Sequence, residues 1–600
     1  MNASFAYLIQ QLIHGDFNSF ERHIKQHPDL LNIRTRRHSL LTFAVLNDRL
    51  RAVHFLNKHV EKGLSFSEGD ENGVTAVHWA VIADAEKCLK YILKIPHNPE
   101  WMLLKDSHGI TPVHLAAKLG KTKFLKMLLE AVVDVERFYE EALDECNRSS
   151  LHYAATCAQL NCCEVLLDSC LQLQADQRDD NNQTPFMCAA ASIYPEAANV
   201  VRLLGMRLVK NGKQSLLTAR DKNGRTALHL AVLTSNNPVI EVLLNELQCQ
   251  SETFDNEGRT PLHYAAHRGL LEVTKMLLDA KARNVTRDIF GVTPAHYAAA
   301  EGHREILDLL LRRPNPQEVY DKDRRSCLVW AIVKRQVETV KYLLENFNYD
   351  SNDRDKYGYT AVHHAAHVGS TEIIKTLFKC RNRYDINSID NNRATPLHIA
   401  AGRGLTDVVR YLITLGAVRE SEDFLNRTPM FYACFGGQAY TLKVMLNELQ
   451  CNGQSVDAYG RTPLHCAAFA GFAACIEVLL DTQEYPIYAE DNDQLTALHI
   501  ASLYGKLDCV KALLQYGAAV NAHSTAGDVT PLDCAILNGH RRIHDYLRAN
   551  DGVTATELKD MAARIIQRWW RSKRSRQRFH RYQDPSPPRK SLRHQRIFQM

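Results

Sequence analysis

Residues 255–279 read Asp255-Asn256-Glu257-Gly258-Arg259-Thr260-Pro261-Leu262-His263-Tyr264-Ala265-Ala266-His267-Arg268-Gly269-Leu270-Leu271-Glu272-Val273-Thr274-Lys275-Met276-Leu277-Leu278-Asp279. Thr260 can cap a helix that opens on Pro261, where a missing N–H costs nothing and φ is already set. Tyr264, Ala265 and Ala266 continue that helix, and the alanines let a neighbour approach closely. Gly269 stops it by adopting positive φ. Val273, Leu277 and Leu278 then share one face of a second helix. Asp288-Ile289-Phe290-Gly291 makes the turn that leads to the next unit at Thr293. A unit this small cannot bury a core by itself, so it requires neighbours stacked against both faces.

The neighbours are in the sequence. Thr-Pro-Leu-His stands intact at Thr260, Thr395 and Thr462, and with one substitution at Thr111, Thr226, Thr293 and Thr496. Looser copies begin at Ser39, Thr75, Ser150, Thr184, Ser326, Thr360, Thr428 and Thr530. From Thr226 onward the steps are 34, 33, 33, 34, 35, 33, 34, 34 and 34 residues. This period and wording are the ankyrin signature. Fifteen anchors are visible, and Phe5 to Ile24 has the helix–Gly–helix cadence of a sixteenth unit without one. The expected fold is an all-α ankyrin-repeat solenoid of about 16 helix-turn-helix units with β-hairpin tips. A basic helix and a disordered tail follow it. The domain boundaries read as 1–550 for the array, 551–582 for a linker plus helix, and 583–600 for the tail. Two steps are irregular, 39 residues from Thr111 to Ser150 and 42 from Thr184 to Thr226. The longer one holds Ile193-Tyr194-Pro195 and Asn211-Gly212-Lys213, which read as extended loops.

Composition suits a soluble intracellular protein, with 45% hydrophobic and 24% charged residues. No apolar run is long enough to span a bilayer, and no secretory leader or lipidation signal is evident. Sixteen cysteines raise the question of metal, but no pair of Cys-x-x-Cys motifs exists. Cys188, Cys434, Cys466 and Cys534 occupy small-residue positions of repeat helices, so packed thiols are expected. Ten of the 27 histidines are the fourth residue of an anchor, where an imidazole can bond the turn backbone. No phosphate loop, nucleophile elbow, His-Glu-x-x-His or kinase motif set is found. The expectation is a protein without catalytic residues, cofactor or metal.

The last forty residues, Met561–Met600, hold twelve Lys or Arg and one acid, a net +11. The whole chain carries +5, which leaves −6 for residues 1–560. Within this tail Ile566-Gln567, then Arg571, Arg576 and Phe579, have the spacing of an IQ motif, with Ser572 at the usual glycine. In that reading Ile566 fills an apolar cleft of calmodulin and Gln567 bonds a loop backbone. Arg571 and Arg576 meet acidic rims, while Trp570 and Phe579 add large anchors. A basic amphipathic helix with tryptophans also suits an anionic membrane or a nucleic acid. The Ile-Gln spacing favours calmodulin, with at most weak membrane contact and no nucleic-acid partner expected.

A long ankyrin array running almost directly into an IQ helix resembles the inversin family. The residues that carry the likeness are Thr530-Pro531-Leu532-Asp533-Cys534-Ala535, where Asp533 replaces the usual His, then Thr556 to Ala563, then Ile566-Gln567. The resemblance implies a non-enzymatic scaffold of the cytoplasm, cytoskeleton and primary cilium. Its implied partners are calmodulin, nephrocystins and Dishevelled, and its implied roles lie in Wnt signalling, left–right asymmetry and kidney development. Family members continue past this motif to a second one, which this sequence does not contain. Partners would meet exposed tip and first-helix residues such as Tyr264, Tyr297, Tyr357 and Tyr459. The alternative is a substrate adaptor of a ubiquitin ligase or a cytoskeletal or membrane-associated adaptor.

Overall fold

The computed structural model describes residues 3–32, 39–58, 66–95, 103–132, 141–169, 175–312, 320–347, 349–379, 384–481 and 485–576. It contains two compact units, Met1–Lys356 with Thr376–Asn382, and Tyr357–Lys375 with Arg383–Met600. Both are all-α, and the described residues form no strand. Isolated bridges, such as Glu490 with Thr496 and Ser524 with Val529, take the place of a β ladder among the described hairpin tips.

The tips are tight turns organised by one buried aspartate. In the Thr260 repeat Asp255 Oδ1 accepts the Glu257 and Arg259 amides at 2.9 and 2.8 Å. Its Oδ2 takes the Arg259 Nε at 3.0 Å and the Tyr264 hydroxyl at 2.7 Å. Gly258 between them has φ +75°, the left-handed conformation that favours glycine. Adjacent tips are joined by single backbone bonds, such as Asn256 N to Asn223 O and Ile289 N to Glu257 O, both 2.9 Å.

Each anchor opens a short helix, Pro261–Arg268 in this repeat, and the second helix is Leu271–Asp279. The anchor histidine joins two repeats. His263 Nδ1 accepts from the Thr260 amide at 3.0 Å and faces the Thr260 hydroxyl at 2.9 Å, while Nε2–H donates to the Val292 carbonyl of the next repeat at 3.1 Å. The same link recurs from His229 to Arg259, His296 to Arg325, His398 to Arg427 and His499 to Val529. The core between repeats is aliphatic and alanine-rich, with Leu262, Ala265, Ala266 and Leu277 fully buried. The first helix pair, Ala3–His14 and Phe17–Gln26, stacks without an anchor.

One detail differs from the sequence reading and one is added to it. The fourth anchor begins at Ser149, not Ser150: Ser149 caps helix Ser150–Thr156, and its amide donates to His152 Nδ1 at 3.1 Å. In the long step after Thr184, Ile193-Tyr194-Pro195 and Asn211-Gly212-Lys213 are turns, and a helix lies between them. This second helix of the repeat runs for 14 residues, Ala197–Lys210, with Val200, Val201, Leu204 and Leu208 buried, and a 3₁₀ turn, Gln214–Thr218, follows. The extra residues therefore lengthen the stack where apolar spacing permits it. Pro195 lies just ahead of that helix, a position where a missing N–H is harmless.

Candidate functional site

The last repeat ends with helix Arg541–Ala549, and a 22-residue helix, Ala555–Arg576, follows after a short turn. Thr554 and Glu557 form its start. The Thr554 amide donates to Glu557 Oε2 at 2.9 Å and the Glu557 amide donates to Thr554 Oγ1 at 3.3 Å, a reciprocal cap. Arg548 grips Glu557 with two bonds of 2.7 and 3.1 Å. That guanidinium and the Thr554 amide hold the Glu557 carboxyl down at about 2. Lys559 Nζ reaches Asp528 Oδ2 at 2.6 Å, and the Asp528 carboxyl is lowered by Lys559 and His523.

Asp533 seats this helix. Its Oδ2 accepts from the Thr530 amide at 2.9 Å, as the imidazole does elsewhere, and lies 2.9 Å from the Thr530 hydroxyl oxygen. It also accepts from the Ala555 amide at 2.8 Å, at the start of the terminal helix. Thr530 Oγ1 donates to the Val553 carbonyl at 2.7 Å. The sequence showed the His-to-Asp change without its consequence. The signal was available: an acceptor at this position, 21 residues before the Thr554-x-x-Glu557 cap, faces a helix N-terminus rather than another tip.

Beyond this seat and the Lys559–Asp528 ion pair the helix is solvent-exposed. Every residue from Lys559 to Arg568 is exposed, including Met561, Ile565 and Ile566 at 50, 65 and 56%. Ile566 and Gln567 therefore face solvent among basic neighbours. The backbone of Trp570, Arg571 and Arg576 continues the helix. The side chains of these three, and Phe579 altogether, lie outside the described residues. The helix begins at Ala555, so the stretch expected to link it to the array is its first turns.

The four tyrosines expected on the partner-facing surface divide into pairs. Tyr264 and Tyr297 spend their hydroxyls on Asp255 and Asp288 of their own turns, at 2.7 and 3.0 Å, and burial first, then those carboxylates, pushes both phenols upward. Tyr357 and Tyr459 are 57 and 37% exposed at the tips, with the Arg461 guanidinium 4.4 Å from the Tyr459 ring centre.

Among the described residues no group of three or more His, Cys, Asp or Glu is arranged to hold a metal ion. No described helix is long and apolar enough to cross a membrane. Burial pushes the thiols of Cys188, Cys466 and Cys534 up to about 12, which makes them packing residues rather than nucleophiles.

An array of anchored helix pairs joined through buried histidines is the architecture of ankyrin-repeat proteins. The sequence profile described as "Ankyrin repeats (3 copies)" matches residues 41–139, 96–174, 206–288, 280–355, 347–423, 418–491 and 483–557. The chain belongs to the ankyrin-repeat family. Among individual proteins it is similar to inversin. It is 31% identical to the inversin of Canis lupus familiaris over 339 residues, 56% of this chain and 30% of that one. Inversin of Mus musculus is 31% identical over 341 residues, with 56% and 31% covered, and inversin of Homo sapiens is 31% identical over 339 residues, with 56% and 30% covered. The chain thus spans about 30% of the length of these relatives. Ankyrin repeats together with this likeness support a protein-interaction scaffold.

Proposed function

We propose that the chain is a non-enzymatic scaffold that binds protein partners along its repeats and calmodulin on its terminal helix. In this reading the array covers 1–550, the linker plus helix 551–582, and the basic tail 583–600. The observation that carries it is the terminal helix: anchored at Ala555 and through Lys559, yet exposed from Asp560 to Arg568, with Ile565 and Ile566 unburied. A partner that wraps a helix needs that access around its circumference, and helix-in-groove recognition reads apolar anchors at helical spacing. The net +11 of residues 561–600 steers an acidic partner to it.

From the resemblance to inversin come further proposals: placement at the cytoskeleton and primary cilium, partners of the nephrocystin and Dishevelled kind, and roles in Wnt signalling, left–right asymmetry and kidney development. Localisation of a tagged chain in ciliated cells tests the first of these, and exclusion from the cilium counts against it.

The calmodulin reading is tested by titrating the full chain and a peptide of residues 555–582 with calmodulin, with and without calcium. Trp569 and Trp570 fluorescence reports on the peptide. Both should bind, and Ile566→Ala with Gln567→Ala should weaken binding at least tenfold. No binding in either condition, together with vesicle binding indifferent to those changes, would replace calmodulin by a membrane surface.

A further inference from the structure

We propose that Tyr488 is a phosphorylation site for a tyrosine kinase, and that the phosphate releases a clamp between two neighbouring loops. The proposal goes beyond the scaffold and calmodulin readings and rests on neither. Tyr488 lies in the loop between helix Ala473–Asp481 and the anchor at Thr496. The chain turns there, with the Ala489 amide donating to the Pro486 carbonyl at 3.0 Å. Tyr485 is buried against Gly453, whereas Tyr488 is 63% exposed. Its hydroxyl donates to the Gly517 carbonyl at 3.2 Å. Gly517 lies just past the C-terminus of helix Leu507–Gln515, where the next loop begins.

Elsewhere in the array this link is made by asparagine. Asn387 donates to the Gly416 carbonyl at 3.4 Å and accepts from the Val418 amide at 2.9 Å. Asn521 donates to the Asp551 carbonyl at 3.0 Å and accepts from the Val553 amide at 2.8 Å. Asn387 and Tyr488 both stand eight residues before their anchor threonines, and Gly416 and Gly517 both stand 21 residues after them. A phenol thus occupies a place where an amide side chain serves, and it leaves its ring in solvent. An asparagine clamp has no group to modify by phosphoryl transfer, and the phenol does.

The surrounding sequence suits such a transfer. Residues 484–492, Glu484-Tyr485-Pro486-Ile487-Tyr488-Ala489-Glu490-Asp491-Asn492, hold three acids and no Lys or Arg. No other exposed tyrosine among the described residues has these surroundings. Tyr357 has two acids within four residues but also Arg354 and Lys356, and Tyr440 and Tyr516 have none. A kinase that receives its substrate in a basic cleft is steered to acids flanking the phenol. Ile487 supplies an apolar side chain immediately before it. Opening the loop is a local event, because loops of this kind unfold well below the global cost.

In the transfer the Tyr488 phenol oxygen attacks the γ-phosphorus of magnesium ATP held by the kinase. The new O–P bond forms as the bond to the departing ADP oxygen breaks, and the phenol proton passes to the kinase's carboxylate base. The product has no O–H to give Gly517 and carries a charge of about −1.5 to −2. It faces a carbonyl at the negative end of a helix dipole, with Glu490 and Asp491 close along the chain. A donor has become an anion against an acceptor, so the loop leaves Gly517.

The test incubates the full chain with the catalytic domain of an acid-directed soluble tyrosine kinase and magnesium ATP, and maps phosphate by mass spectrometry. Tyr488 should carry at least tenfold more phosphate than any other tyrosine. Glu490→Lys should slow its modification at least threefold. Tyr488→Phe should remove most of the incorporated phosphate and leave thermal melting unchanged. In the phosphorylated chain, amide exchange should quicken at least threefold at residues 486–490 and 517–519, and a phosphatase should reverse it. Tyr488→Phe loses the donor without gaining charge and should show a smaller rise. Phosphate spread evenly over the tyrosines, or absent from Tyr488, overturns the site. Phosphorylated Tyr488 with unchanged exchange overturns the release of the clamp.

Discussion

His263 and Asp533 occupy the same position of the same motif, one inside the array and one at its end, and their outward hydrogen bonds run in opposite directions. Both accept from the anchor's backbone amide, at 3.0 Å from Thr260 and 2.9 Å from Thr530. Outward, His263 donates to the Val292 carbonyl of the next tip, whereas Asp533 accepts from the Ala555 amide that opens a helix. A neutral imidazole can do the first because it has one acceptor and one donor nitrogen, and a carboxylate can do only the second. The residue at this position is thus matched to the backbone group it meets on its outer side, a carbonyl or an amide. The His-to-Asp change marks the place where repeats stop and another kind of contact begins.

Acid should separate the two regions most strongly. Burial holds the imidazoles of His114, His229, His263, His296, His398, His465 and His499 down at about 4. In the unfolded chain they return to about 6.5. Between those values the unfolded chain binds protons that the folded one refuses. Stability is therefore intact above pH 6.5 and falls as pH drops toward 4, by about 1.4 kcal/mol per pH unit for each imidazole. Stability in a repeat array is roughly a sum over neighbouring interfaces, so the loss should be spread along the anchors. Hydrogen exchange followed from pH 7 to pH 4.5 should show protection falling around residues 260–310 more than around 530–550. A uniform fall would mean that the anchor imidazoles do not govern the acid response.

Exchanging the interior residue for the terminal one should come next in size. His263→Asp keeps an acceptor for Thr260 but leaves the Val292 carbonyl without its donor and places a carboxylate where exposure is 1%. Breaking a buried polar pair in this way costs about 3–5 kcal/mol. His263→Ala, which removes the bonds without adding charge, should cost about 1–2 kcal/mol. Urea denaturation of the two variants gives the ranking, and an Asp variant as stable as the Ala one would contradict this account of the imidazole.

The array was legible because its rules are local. Thr or Ser at a cap, Pro at the first helical position and His three residues after the cap can each be read without the fold. The Ser149–Ser150 ambiguity would have yielded to counting three residues back from His152. In the long step after Thr184, Pro195 and Asn211-Gly212 do break the chain, and what went unread is the helix between them, whose valines and leucines at 200, 201, 204 and 208 make a buried face. Tyr264 and Tyr297 were illegible for a different reason. Whether a tyrosine faces a partner or its own turn depends on Asp255 and Asp288, nine residues back, and on a turn geometry that folding supplies. The seat of the terminal helix needed the same three-dimensional fact, the approach of the Ala555 amide to Asp533.

The smallest expected effect is the most specific. Asp533→Ala removes the acceptor for both Thr530 and Ala555 and should cost about 1 kcal/mol, as loss of a helix cap does. Asp533→His should restore the Thr530 bond through Nδ1 but turn a donor toward the Ala555 amide, or leave that amide unpaired. Global stability should then recover partly while amide exchange at residues 555–558 stays as fast as in the Ala variant. The 555–582 peptide lacks Asp533 altogether, so its affinity for calmodulin provides a reference free of the seat. If the seat only positions the helix, neither substitution should change the affinity of the full chain by more than a few-fold. Slow exchange at 555–558 in Asp533→His would show that Arg548 and the Thr554–Glu557 cap hold the helix without Asp533. The contrast between the interior and terminal anchors would then reduce to a local cap with no bearing on where the array ends.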